Sequence, residues 1–117
     1  MTTPGTIPVA EALLLADLIT PTEGGIASRV LAKTGGGNVT LFAFDQGQGL
    51  SEHTAPFDAL VIVLQGQLWL TIGGTAVTAT PGTIVRLPAH VPHAVDAPVP
   101  ARMLLVMLRE PKGQSGV

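Results

Sequence analysis

From residue 26 onward the chain is a succession of short apolar stretches cut by glycine and proline. Side chains alternate between the two faces of a strand, so residues two apart share a side. Over 39–45, Val39, Leu41 and Ala43 fall on one face and Thr40, Phe42 and Phe44 on the other. Both faces are usable, which predicts a strand lying half in a core and half in an interface. Residues 59–65 carry no charge, the mark of a strand covered on both sides. After Gly66, Leu68, Leu70 and Ile72 alternate with Gln67, Trp69 and Thr71. Gly73-Gly74 then signals a hairpin into a strand over 75–80. Further strands are expected over 26–33, 83–87, 93–96 and 102–108. Eight to ten short strands at tight spacing, with no helix for parallel crossovers, predict an all-β sandwich or barrel.

The first 25 residues read differently. Residues 1–7 are small and polar and are expected to fray. Pro8 suits a first helical turn, where its missing N–H costs nothing, and Glu11 follows near that positive end. Val9, Ala12, Leu13, Leu15 and Ala16 would cover one side of a short helix. It should pack on the barrel wall and stop before Pro21. One domain results: an arm with a short helix over 1–25, a barrel over 26–110 and a flexible tail over 111–117.

Hydrophobic residues make up 46% of the 117, but aromatics only 3%, so the core must be aliphatic. Charged residues are 12% with a net charge of −2 and no basic run, which argues against nucleic acid as a partner. The absence of cysteine excludes disulfides, thiolate nucleophiles and cysteine-held zinc. No basic leader precedes an apolar run at the N-terminus, and 12–19 is too short to span a membrane. A cytoplasmic protein without membrane contact is the expectation.

The chemistry concentrates between Ser51 and His93, which holds all three histidines. Five residues separate Gly47 from His53, and Gly66 closes that segment. Gly82, Pro88 and His93 repeat a second pattern: Gly, five residues, Pro, then His five positions on. These two motifs, in order over roughly 38–108, resemble the cupin family. The resemblance implies a double-stranded β-helix, or jelly roll, of the small single-domain kind. It also implies a divalent metal (zinc, nickel, manganese or iron) held by three histidines and a glutamate. Here the family's second histidine falls at Ala55, its glutamate at Ala59 and its final asparagine at Ala97. His53 and His93 alone remain of the usual ligand set.

In the family's phase Ser51, His53 and Ala55 point inward, as do Ala59, Val61 and Val63, and Met103 with Met107 shares a strand face that could join that lining. His90 is a candidate third ligand, sitting where the family prefers glycine. Asp58 is a weaker one: the same phase leaves it outside, and Pro56 interrupts the alternation that would decide. Arg29, Arg86 and Arg102 stand alone in apolar surroundings, and one of them turned inward would call for an anionic ligand. Trp69, with Leu60, Ile62 and Leu64, is expected to form an apolar association patch and hence a homodimer.

Three readings follow. The first is a cupin that binds a small, partly apolar molecule through His53 and His93. The second is a metal-dependent isomerase, dioxygenase or decarboxylase. The third is a sensory or scaffold dimer whose interior is filled by its own side chains.

Overall fold

A computed structural model describes residues 6–110; the expectations for 1–5 and for the tail over 111–117 fall outside them. Nine strands form among the described residues: β1 (Ile26–Thr34), β2 (Gly37–Phe44), β3 (Gly49–His53), β4 (Asp58–Gln65), β5 (Leu68–Ile72), β6 (Thr75–Ala79), β7 (Ile84–Leu87), β8 (His93–Asp96) and β9 (Ala101–Leu108). They make two antiparallel sheets, one ordered β1-β2-β9-β4-β7 and the other β3-β8-β5-β6. This is the all-β jelly roll that the motifs imply.

The period-two pattern explains how the sheets close. Ala59, Val61 and Val63 from β4, Leu68 and Leu70 from β5, Val95 from β8 and Met103 from β9 meet in one buried cluster. Val61 and Leu68 are 0% exposed, so the interior is solid at this level. Register fixes the layers: Met103 stands between Phe42 of β2 and Val63 of β4. Gly66 carries the chain from one sheet to the other. Its φ of +75° is the left-handed conformation that glycine adopts without strain, and an added Cβ would strike the backbone at Pro100 and Ala101.

The expected N-terminal helix is replaced by a single 3-10 turn at Leu15–Asp17. An isolated helix of this length is marginal unless packing supports it, and here Val9 and Leu14 are exposed. The backbone is instead anchored from outside. Arg29 donates to the Leu18 carbonyl at 3.1 Å, Arg102 donates to that of Ala16 at 3.0 Å, and the Ile7 N–H donates to Leu31 O. The arm thereby crosses the outer face of β1, β2 and β9. Leu41 and Ala43, which point away from Phe42 and Phe44, are buried there, so the second apolar face of β2 is covered by the chain's own arm.

Two further expectations change. Trp69 lies on the outside of β5, whereas Leu60, Ile62 and Leu64 lie on the outside of β4 in the other sheet. Outer faces of opposed sheets point apart, so these four residues cannot share one patch. No helix among the described residues is long and apolar enough to cross a membrane.

Candidate functional site

The connections from β3 to β4, from β5 to β6 and from β7 to β8 gather at one end of the barrel, as the pairings of His53 with His93 and of His93 with Ile72 require. A bulge in β3 sets the site's phase. Leu50 pairs with Val95 and His53 with His93, so three steps on one strand match two on the other. The extra residue turns His53 to the side that Leu50 faces and leaves Ser51 exposed. Alternation alone had put Ser51 beside His53; the bulge is the physical reason it is not there.

His53 and His93 are brought together. Their Nε2 atoms are 3.1 Å apart, their ring centroids 4.4 Å, and their planes are inclined by 73°. Each ring is held from behind. His53 Nδ1 faces Ser51 O at 2.8 Å and His93 Nδ1 faces Val91 O at 3.1 Å. His93 is 6% exposed while His53 is open to solvent. Burial lowers the His93 pKa from the ordinary imidazole value; the Val91 carbonyl opposes that, and the neighbouring His53 adds to it.

The other candidates lie elsewhere. Asp58 points outward: its Oδ1 accepts the Ala89 N–H at 2.9 Å, and its Oδ2 takes Arg86 Nη2 at 2.7 Å. These bonds, the Ala89 N–H first and Arg86 second, lower its pKa. Asp58 thus clamps the loop that leads to His93 and is no ligand beside it. His90 is exposed in that loop with φ +65°, its N–H donating to Ala55 O at 2.7 Å. Ala59, Val61, Val63 and Met103 are packed core rather than the wall of an open space, and Met107, paired with Ala59, is half-buried. Ala55 is half-buried and belongs to the connection after β3. Arg29, Arg86 and Arg102 are committed to Leu18, Asp58 and Ala16 on the outer surface, so none turns inward.

The donor set among the described residues is short of the usual protein-held metal site. Such sites take three or four protein ligands. Two imidazoles are present; Ala55, Ala59 and Ala97 fill the other family positions. Among the described residues no group of three or more His, Cys, Asp and Glu is placed to share an ion, so the third ligand expected at His90 or Asp58 is not assembled. What the arrangement offers is two imidazoles with fixed rings and their Nε2 edges turned together, within reach of solvent on the His53 side.

Residues 40–107 match the family described as "Cupin domain". Among solved structures, the chain is similar to a conserved protein of unknown function from Streptococcus pyogenes, with 30% identity over 94% of this chain and 96% of that one and a TM-score of 0.84. A cupin superfamily protein from Desulfitobacterium hafniense is 28% identical over 93% and 100% of the two chains, with a TM-score of 0.83. A cupin 2 conserved barrel domain protein from Leptotrichia buccalis is 34% identical over 80% of this chain and 46% of that one, with a TM-score of 0.76. No curated protein matches.

Proposed function

We propose that this chain, which belongs to the cupin family, is a binding protein for a small, partly apolar molecule seated on His53 and His93 at the histidine end of the barrel. The observation that carries the reading is the 3.1 Å approach of two Nε2 edges whose rings are each tethered through Nδ1. Such tethering fixes the orientation of an imidazole and turns its other nitrogen toward whatever it serves. Burial agrees with it. The inward side chains are fully packed at Leu68, Val63 and Met103, and only half-buried at Ile72, Leu105 and Met107, toward the histidines. A protein-held metal centre finds too few donors, and a filled scaffold would leave the paired imidazoles without a purpose.

The test is a panel of small alcohols, amines, amides and acids screened by ligand-observed NMR against the wild type and His53→Ala. His53 is exposed, so its replacement leaves the fold intact. Binders that lose their signal in the variant support the proposal. Binders indifferent to His53, or none at all, overturn it.

We further propose a cytoplasmic homodimer. The homodimer has its support in the apolar outer face of β4, β7 and β9, where Leu60 and Ile62 stand in register with Ile84, Leu104 and Val106, and Leu64 continues the same face of β4. A monomeric mass by light scattering at micromolar concentration contradicts it.

A further inference from the structure

The sheet β3-β8-β5-β6 carries charge of one sign. All six lysines and arginines lie outside its strands, and its two charged residues, Glu52 and Asp96, are both acidic and exposed. On its outer surface stands Trp69, the chain's single tryptophan, 52% exposed between the buried Leu68 and Leu70. A tryptophan is ordinarily buried over most of its area. Register surrounds this one with short side chains. Trp69 pairs with Thr78 of β6 and with Asp96 of β8, and one step along the same face Thr71 pairs with Ala76 and Ala94. Gly49 pairs with Asp96 on the far side, and a Cβ added there would lie 2.9 Å from Asp96 Oδ1, so the carboxylate leans over bare backbone. Among the described residues no hydrogen bond or ion pair engages that carboxylate. Opposed residues keep their Cβ atoms about 5 Å apart. One long side chain can therefore lie on the indole and end at the carboxylate.

We propose that this outer face docks a basic segment of a partner protein, with a lysine or arginine side chain lying across Trp69 and ending at Asp96. The face is the back of the sheet whose other side carries His93, so the inference stands apart from the reading of the histidine pair. An indole attracts a cation over its ring more strongly than other aromatics do, and Asp96 completes the recognition with an ion pair. The single sign of charge on the sheet steers a basic partner toward it and repels an acidic one. A polypeptide suits the place better than a small molecule. Small-molecule sites are concave, and an open sheet face offers no walls; tryptophan and arginine are the usual anchors of protein interfaces. A second copy of this chain brings no spare arginine from the described residues. Arg29, Arg86, Arg102 and Arg109 are engaged with Leu18, Asp58, Ala16 and Phe57.

The experiment follows backbone amides and the one indole N–H by NMR at low salt. The probes are a blocked peptide of alternating lysine and threonine, the same peptide with glutamate for lysine, and butylammonium. The lysine peptide should move the indole and the amides of β5 and β8 to saturation, and its affinity should fall as salt is added. Trp69→Ala and Asp96→Asn both change exposed side chains, and unchanged shifts elsewhere show that the fold is kept. Each should weaken the lysine peptide by about 2–5-fold, the worth of an exposed cation–π contact or ion pair. The glutamate peptide should leave this face unmoved, and butylammonium should bind far more weakly than the peptide. The inference is overturned if the lysine peptide gives no saturable shift here, if it ignores both substitutions, or if the glutamate peptide binds as well. Butylammonium binding as tightly as the peptide would make this a small-cation site instead. Shifts on this face that follow protein concentration without peptide would show that a second copy covers it, and either result also overturns the proposal.

Discussion

His90 holds a left-handed backbone at φ +65° in the slot where the family's second motif has glycine. A Cβ in that conformation costs about 1–2 kcal/mol. Replacement by glycine removes the cost but frees the unfolded chain by about 0.4–1 kcal/mol. The imidazole is exposed, and the N–H bond to Ala55 O at 2.7 Å belongs to the backbone, so neither packing nor that bond is lost. The balance predicts that His90→Gly is more stable than the wild type by about 0.5–1 kcal/mol. For a chain of this size that is a rise of roughly 2–5 °C in Tm. His90→Ala keeps the Cβ and should leave stability within about 0.5 kcal/mol of the wild type. Urea and thermal unfolding of the three proteins measure both differences. If His90→Gly is less stable than His90→Ala, the left-handed backbone is not strained by a Cβ; if both variants fall below the wild type, the imidazole makes contacts that its exposure does not suggest.

Three further outcomes follow from the packing and the charges. Met103 is 1% exposed between Phe42 and Val63, so Met103→Ala should cost about 2–5 kcal/mol in urea unfolding; a cost below about 1 kcal/mol would mean that the interior is not packed there. The pKa of His93 is lower in the folded protein than in the unfolded chain, so the unfolded chain takes the proton more readily. Its contribution to stability is complete above about pH 6.5 and is lost as pH falls through the lower folded value; His93→Gln should flatten the stability profile in that window. Asp58 and Asp45, both lowered chiefly by backbone N–H bonds, act in a more acidic window: their contribution is present above about pH 3.8 and is lost as pH falls further. The stability difference between wild type and Asp58→Asn should accordingly shrink in strong acid, and a difference independent of pH would mean that the carboxylate does not clamp the loop.

The barrel was legible because it is built from local rules. Alternation in Ala59, Val61, Val63 and in Leu68, Leu70 places residues two apart on one face, and the turns at Gly66 and Gly73-Gly74 interrupt it where the chain reverses. The partnership of His53 with His93 was legible only through motif spacing, since strands forty residues apart carry no mutual signal in periodicity. What escaped was non-local or broke the period. The bulge between Leu50 and His53 adds one residue and turns Ser51 out. The arm fails to become a helix because its apolar residues find no surface to pack on, Val9 and Leu14 staying exposed, while its backbone is tied to Arg29 and Arg102 on strands far along the chain. Asp58 was ambiguous because Pro56 breaks the strand pattern before it; its partners, Arg86 and Ala89, lie about thirty residues away.

In the proposed function the paired imidazoles of His53 and His93 serve an organic ligand in place of a resident metal. Elemental mass spectrometry on untagged protein tests it most directly, beside His53→Ala and His93→Ala and after incubation with zinc, nickel, manganese and iron. Metal should stay well below one ion per chain in all three proteins. Near-stoichiometric metal in the wild type, lost in both variants, would contradict it and make the metal-dependent enzyme the better reading.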